Sequence, residues 1–508
     1  MIEGILVGLT TALTPTNLLM VMVGCFAGTF IGMLPGLGPI SAIALMIPVT
    51  YGFDPASGMI LMAGVYYGAI FGGSTSSILI NAPGVAGTVA TSFDGYPMAR
   101  AGHGGKALAI AAYASFSGGT IAAVFLLVAA PALASVALSF QSADYFALMV
   151  LGLTAVSAFA GRGQFLKAML MVFLGLGLAT IGQDTSSDIP RFTFGSIDLL
   201  DGISFLLLAM AAFALSEAIM TVLKREKVSE TAVEAAAGRM GSLKVSRAEA
   251  KTMAPVIGRS SIIGFFIGVL PGAGATIASF LAYGMERNIA PRAEKEKFGQ
   301  GSLRGLTAPE TANNAACSGS FVPLLTLGIP GSGTTAVMLG ALISYGVQPG
   351  PTLFTDRPEV FWAVIISMYI GNVVLLILNL PLIPYIARLL MLPSQLLVPL
   401  VLFFSLCGVY LVSFNTFDIH LMVAFAAGAV ILRLFGYSMA PMILGFVLGR
   451  LMEENLRRAL EIYDGYSFLW ERPITLGIMI LTALILLAPV LQWFKDRRAA
   501  TVTSGEGG

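Results

Sequence analysis

The sequence has very little charge for its length. Only 11% of its 508 residues are Asp, Glu, Lys or Arg, whereas a soluble globular protein carries about 25%. Apolar residues make up 56% of the chain, and the mean hydropathy is +0.87. The net charge of +1 favours no nucleic-acid partner. These values predict an all-α polytopic membrane protein with roughly ten to twelve transmembrane helices of about 20 residues each.

Residues that commonly carry catalysis or bind metals are also scarce. The chain has two His and three Cys, and Cys25, Cys317 and Cys407 form no CxxC pair. They predict neither a disulfide framework nor a metal site. The sequence contains no nucleophile–base pattern and no GxxxxGK[ST] loop for ATP. We therefore expect no enzymatic activity and no cofactor other than a coupling ion. The N-terminus lacks the basic region of a cleavable signal peptide, so the first apolar run should be retained.

Glycine and proline, by contrast, form a motif that occurs twice. Gly32-Met-Leu-Pro-Gly-Leu-Gly38 and Gly268-Val-Leu-Pro-Gly-Ala-Gly274 each lie in an apolar run. Each is followed by a second Pro-Gly signal, in Ile80-Asn-Ala-Pro-Gly84 and in Leu327-Gly-Ile-Pro-Gly331. The first pair of motifs lies 236 residues apart and the second pair 247, which fits an insertion in the charged connection Glu286–Arg304. The sequence therefore predicts two repeats with broken helices and re-entrant hairpins, inverted if each repeat has an odd number of crossings.

These interruptions have a physical meaning in a membrane. Pro removes a backbone donor and Gly allows tight turns and close approach, so both break a helix. In lipid the freed backbone groups persist only inside protein or beside a watery cavity. The N-terminal ends of the broken helices attract anions, and exposed carbonyl oxygens can bind a cation. Paired breaks in two halves are typical of secondary transporters. A channel-like pore for small organic anions stays open as the alternative, because broken helices also line pores.

Polar residues beside the Pro-Gly breaks predict the substrate site. Hydroxyl groups, amides and backbone N–H groups can bind an anion in the membrane at lower cost than Lys or Arg. The candidates are Ser74, Thr75, Ser76, Ser77, Asn81 and Gly84 in the first half, and Gly331, Ser332, Thr334 and Thr335 in the second. The helix that begins near Ala56 is expected to end at this first polar cluster. The alternative is that the hydroxyls bond to their own helices or allow close packing.

Oxygen atoms near the LPGxG motifs predict a cation site for Na⁺. The backbone candidates are the carbonyl groups around Gly36, Gly38, Gly272 and Gly274, and the side-chain candidates are Ser41, Thr276, Glu310, Asn313 and Asn314. Glu310 lies in Ala308-Pro-Glu, which we expect to start a helix, so stabilisation of the helix dipole is its alternative role. For the two Asn residues the alternative is hydrogen bonding between helices. Asp94-Gly-Tyr-Pro97 is predicted to be a turn.

The sequence also predicts a division into five segments. Residues 224–259 contain many Lys and Arg residues and should form a cytoplasmic loop. The segments are the first repeat half 1–223, the basic loop 224–259, the second repeat 260–380, C-terminal scaffold helices 381–494, and a disordered cytoplasmic tail 495–508.

Six stretches resemble the TctA-type large membrane subunit of the tripartite tricarboxylate transporters, and the resemblance covers nearly the whole chain. They are Leu34–Pro39, Tyr66–Ser74, Asp94–Arg100, Leu270–Thr276, Ala308–Ala316 and Leu325–Gly331. The resemblance implies a multi-pass protein of the bacterial inner membrane. It implies import of tricarboxylates or other small carboxylates, such as citrate, coupled to Na⁺ or H⁺. It also implies two partners, a small membrane subunit of about four helices and a periplasmic solute-binding protein.

Overall fold

The computed structural model describes residues 2–34, 37–158, 160, 163–184, 186–224, 241–386 and 394–487. These residues are almost entirely helical, with one short antiparallel strand pair, Gly182–Gln183 and Pro190–Arg191. Within these ranges seven helices are long and apolar enough to cross a membrane, and seven further apolar helices have 10–17 residues. The prediction of an all-α polytopic membrane protein is confirmed.

The chain forms two compact units, Met1–Leu138 with Ser204–Phe435, and Ser139–Ile203 with Gly436–Gly508. The division at 223, 259, 380 and 494 follows the repeat in the sequence rather than these units, and it stays a prediction. The predicted tail 495–508 and the cation candidate Gly36 lie outside the described residues.

The first unit contains the following helices in chain order: Ile2–Ala12, Pro15–Met33, Gly38–Thr50, Pro55–Ile80, Val89–Met98, Gly104–Ala137, Phe205–Ala209, Ser216–Lys224, Arg247–Val269, Gly274–Ile289, Arg292–Lys295, Leu303–Leu327, Gly333–Ser344, Thr352–Asp356, Pro358–Asn379, Ile383–Ile386, Ser394–Ser413 and Thr416–Leu434. Short 3-10 and π-helical turns join some of them, at Ala86–Thr88, Ala99–His103 and Met210–Leu215. The second unit contains Ser142–Ala158, Phe165–Ala179, the turn Ile197–Leu199, Ala440–Ile462, Phe468–Glu471 and Pro473–Leu487.

The two predicted repeats have the same local backbone. Each consists of a long helix, an LPGxG break, a shorter helix, a second long helix and a Pro-Gly break. Gly38 and Gly274, which start the shorter helices, have φ angles of 62° and 58°. Asn81 and Gly328, which end the second long helices, have φ angles of 53° and 67°. The left-handed conformation therefore recurs at matching places in both halves, while their inversion stays a prediction.

Glycines bring the two long helices of each repeat to backbone contact. A Cβ on Gly32 would collide with the carbonyl oxygen of Ala69, and a Cβ on Gly268 would collide with that of Ala316. Gly268 lies 236 residues after Gly32, and Ala316 lies 247 residues after Ala69. These are the two offsets between the motifs, so the repeats share their packing as well as their sequence signals.

This packing predicts a matched pair of destabilised variants. Gly32→Ala and Gly268→Ala should each lower the free energy of unfolding by about 1–3 kcal/mol, because a methyl group must push two backbones apart. Gly177→Ala is the control, since a Cβ there meets no atom within 4 Å. Thermal unfolding of the purified protein in detergent measures the effect. Equal midpoints for all three variants would contradict the packing.

Two predicted boundaries in the first repeat are wrong. The helix expected to end at the polar cluster continues through it to Ile80, because the cluster's hydroxyls bond to carbonyls of the preceding turn rather than breaking the helix. Asp94-Gly-Tyr-Pro97 is part of the helix Val89–Met98 rather than a turn. Its Asp side chain is bound by residues about 200 positions later in the chain, which local turn rules do not consider.

A network of four charged side chains anchors the strand-pair loop of the second unit. Asp184 contacts Arg191 at 3.2 Å and Arg457 at 2.6 Å. Glu453 contacts the same two arginines at 2.8 and 2.6 Å. The backbone N–H of Ser186 is the main cause that holds the pKa of Asp184 well below its usual range, and Arg457 lowers it further. Both arginines are therefore paired and do not offer a free charge to a substrate anion.

Candidate functional site

The two breaks within each repeat lie side by side. In the second repeat the N–H of Gly272 donates to the carbonyl oxygen of Gly331 at 3.0 Å, and a Cβ on Gly274 would lie 3.7 Å from that of Ser332. In the first repeat a Cβ on Gly38 would lie 3.8 Å from the carbonyl oxygen of Gly84. Each LPGxG tip therefore meets the Pro-Gly tip of its own repeat.

The tips of the two repeats also meet each other. A Cβ on Gly87 would lie 3.2 Å from the Cβ of Ala275. The amide of Asn313 donates to the carbonyl oxygen of Gly87 at 3.5 Å, and the Tyr66 hydroxyl lies 3.5 Å from Ser332 Oγ. Tyr66 and Asn313 are 247 residues apart, the offset of the repeats. The second long helix of each repeat thus places a polar side chain against the segment that follows the Pro-Gly motif of the other repeat.

Two helices of the second repeat begin at this junction. The helix Gly274–Ile289 has no side-chain cap, so its first N–H groups are available to a ligand. The helix Gly333–Ser344 is capped by Ser332 and Thr335, which bond to each other's backbone N–H groups. Thr334 is 5% exposed at the same helix start. Converging N-terminal ends give the junction a positive potential that suits a carboxylate.

The polar residues of the first half are bonded within the protein. The hydroxyls of Thr75, Ser76 and Ser77 donate to carbonyl oxygens three or four residues earlier in their own helix. Ser76 also accepts the N–H of Gly84 at 3.1 Å, and Asn81 is exposed where the helix ends. These bonds match the alternative stated from the sequence. To bind a substrate, the three hydroxyls would have to give up these bonds within the protein and bond to the substrate instead. Their substrate role stays a prediction.

Glu310 does not lie where the sequence placed it. Its helix begins at Leu303 rather than at Ala308, because Ser302 caps it by accepting the N–H of Gly305 at 3.1 Å. Glu310 is therefore eight positions into the helix, beyond the first turn in which a carboxylate stabilises the helix dipole. The predicted helix start is wrong, and the dipole role loses its basis.

Three hydroxyl groups bind the Glu310 carboxylate, which is fully buried. Ser74 Oγ lies 2.8 Å from each carboxylate oxygen, Ser115 donates at 2.8 Å, and Thr91 donates to Oε1. No Lys, Arg or His within the described ranges pairs with it. A buried carboxylate without a cationic partner is stable only when it is protonated or binds a cation. Thr91 and Ser115 lie on two other helices, and no motif or spacing in the sequence pointed to them.

The predicted Asn pair lies between Glu310 and the tips. Asn314 Nδ2 donates to Asn313 Oδ1 at 2.8 Å and to the Glu310 carbonyl oxygen at 3.1 Å. Asn314 Oδ1 is buried without a hydrogen-bond partner. Thr276 is half-buried on the uncapped helix. The structure thus brings Gly38, Gly272, Gly274 and the Asn pair together next to Glu310, whereas Ser41 donates to the carbonyl oxygen of Phe213 at 3.4 Å. The role of all these residues as ligands stays a prediction.

A polytopic helical protein with two repeats, whose broken helices meet around buried polar groups, has the architecture of a membrane transporter. The model of the tripartite tricarboxylate transporter TctA family matches residues 18–444. The chain therefore belongs to the TctA family. Because this is a transporter family, the class is a multi-pass membrane transporter that works with other subunits.

Two relatives come from Agrobacterium vitis. One, named "Uncharacterized 52.8 kDa protein in TAR-I ttuC' 3'region", is 42% identical over 502 residues, 98% of each chain. The other, named "Uncharacterized protein in TAR-II ttuC' 3'region", is 41% identical over 239 residues, 46% of this chain and 98% of the relative. No solved structure matches the chain significantly.

Proposed function

We propose that this chain is the large transmembrane subunit of a tripartite secondary transporter that imports small carboxylates of the citrate type, driven by Na⁺ or H⁺. The observation that carries the proposal is the meeting of four helix breaks next to one buried carboxylate. Such a junction offers N–H groups to an anion and oxygen atoms to a cation.

The substrate carboxylates bind at the junction of the tips. The uncapped start of Gly274–Ile289 and the start of Gly333–Ser344 supply N–H groups, and Ser332, Thr334 and Thr335 supply hydroxyls. A bound cation near Asn313 and Glu310 offsets the negative charge that the substrate brings into the membrane. Loading of substrate and cation together is favoured for this reason.

The other two components complete the system. A periplasmic solute-binding protein delivers the substrate, and a small membrane subunit of about four helices stands beside this chain in the bacterial inner membrane. No cofactor other than the coupling ion takes part.

The test is uptake into proteoliposomes that contain this chain and its small membrane partner. Labelled citrate is supplied with and without the binding protein, under a Na⁺ gradient, an H⁺ gradient or neither. Accumulation above the outside concentration that requires both the binding protein and one gradient is the expected result. Equilibration without accumulation would instead support the channel-like pore. If citrate is not taken up, the same assay is repeated with other di- and tricarboxylates. Uptake of one of them would correct the substrate, and uptake of none would contradict the proposed transport of carboxylates.

A further inference from the structure

A small cavity in the first unit borders Glu310. It has room for roughly one particle of the size of a water molecule, and its polar lining consists of Ser74, Thr75, Ser115, Glu310 and Asn379. Pockets for organic ligands usually have about 300–1,000 Å³. A carboxylate substrate would in addition meet the like charge of Glu310 here. The cavity is therefore suited to something smaller than the substrate and of opposite charge.

One oxygen atom of this lining lacks a partner. Asn379 is 4% exposed, and its Nδ2 donates to the Leu375 carbonyl oxygen at 3.0 Å. Its Oδ1 has no hydrogen-bond partner. A buried acceptor without a partner costs about 1–3 kcal/mol, a cost that a ligand with positive charge would remove.

The chemistry of the lining selects the kind of ion. It offers one carboxylate together with hydroxyl and amide oxygens, which are hard ligands. Ca²⁺ takes six to eight oxygen ligands, commonly from more than one carboxylate. Soft or imidazole ligands for transition metals are missing, and within the described ranges no three His, Cys, Asp or Glu residues group together. A monovalent ion fits a site with a single negative charge.

We propose that this cavity binds one dehydrated Na⁺, with Glu310, Ser74, Ser115 and Asn379 as its ligands. On binding, the Ser74 and Ser115 hydroxyls turn their hydrogens away from Glu310, and their oxygens face the ion. Asn379 Oδ1 then gains its partner, and the carboxylate gains its counter-charge. The ion's role as the coupling ion rests on the proposed transport function, whereas its binding does not.

Thr91 gives the site a connection to the substrate junction. It bonds to Glu310 from the helix Val89–Met98, which directly follows the 3-10 turn that contains Gly87. Gly87 in turn contacts Ala275 and Asn313 at the tips. Glu310 is thus linked through Thr91 and Gly87 to the start of the helix Gly274–Ile289, where we place the substrate.

The experiment is direct binding of ²²Na⁺ to the purified full chain in detergent, with choline as the inert salt. The wild type should bind Na⁺ saturably. Glu310→Gln should lose this binding, and Asn379→Leu should weaken it at least tenfold. Asn372→Leu is the matched control, because Asn372 lies two turns earlier on the same helix, is equally buried with an unpartnered Oδ1, and does not line the cavity. It should bind Na⁺ like the wild type.

The outcomes separate this site from the transport function. Unchanged Na⁺ binding in Glu310→Gln and Asn379→Leu would overturn the inference, as would a wild type without saturable binding. In both cases, gradient-driven uptake in proteoliposomes would still support the transporter. If Asn379→Leu does not fold, as judged by its unfolding midpoint, Ser115→Ala replaces it and should weaken Na⁺ binding in the same direction.

Discussion

Glu310→Gln is expected to lower cation-driven accumulation of substrate about 100-fold, equivalent to about 2.7 kcal/mol. Gln has the shape of Glu and can still accept hydrogen bonds from Ser74 and Ser115, but it carries no charge to balance a cation or a proton. The loss should therefore be specific to coupling. The measurement compares uptake under an ion gradient with exchange of labelled substrate at equal concentrations and no gradient, which should be retained.

Glu359→Gln serves as the control for this experiment. Glu359 lies at a helix start, is partly exposed and contacts Arg357 at 3.7 Å. Neutralising it should leave both uptake and exchange unchanged, because exposed ion pairs contribute about 0–1 kcal/mol. Accumulation by Glu310→Gln with an unchanged dependence on the cation would contradict the coupling role.

Asp94→Ala is expected to destabilise the first unit by several kcal/mol, because it removes the one buried acceptor of three backbone N–H groups. Asp94 is fully buried, and its Oδ1 accepts the N–H groups of Gly299, Gly301 and Ser302 at 2.9, 2.9 and 2.7 Å. Removing the carboxylate leaves these donors without an acceptor, at about 1–3 kcal/mol for each one that stays buried. It also removes a negative charge from the start of the helix that carries Glu310. Thermal unfolding of the purified protein in detergent measures the change.

Two further variants make the Asp94 result specific. Asp94→Asn keeps an acceptor oxygen in place and should lose less stability than Asp94→Ala. Asp356→Ala removes an exposed Asp from the end of the short helix Thr352–Asp356 and should change stability by less than about 0.5 kcal/mol. If Asp94→Ala and Asp356→Ala unfold at the same temperature, Asp94 does not hold the loop at Gly299–Ser302 as the structure indicates.

Several features could be predicted because they depend on short stretches of chain. Thr14 and Asp54 cap helices that begin at the following Pro, through side-chain bonds to N–H groups two or three residues later. The helices after the LPGxG motifs have 13 and 16 residues, in agreement with the broken helices that the two motifs predict. Pro and Gly act on their own backbone, so the breaks are visible without knowledge of the tertiary structure.

The errors arose where distant residues decide the outcome. The helix with Glu310 was expected to begin at Ala308 because Pro favours the first turn of a helix. A better cap, Ser302, lies one and a half turns earlier, and Asp94 from the first repeat binds the loop in front of it. Local sequence signals favoured a helix start at Ala308 because they contain no information on the contact between Asp94 and the loop before Leu303.

By itself the sequence determined the membrane class, the two repeats and the four helix breaks, since low charge, apolar runs and Gly-Pro motifs act through local physics. The tertiary structure alone decided which side chains share a site. Ser74, Thr91, Ser115 and Asn379 lie on four different helices, and packing turns all four towards Glu310 or its cavity. Which face of a helix meets another depends on close packing at positions such as Gly32 and Gly268. No spacing rule along one chain contains that information.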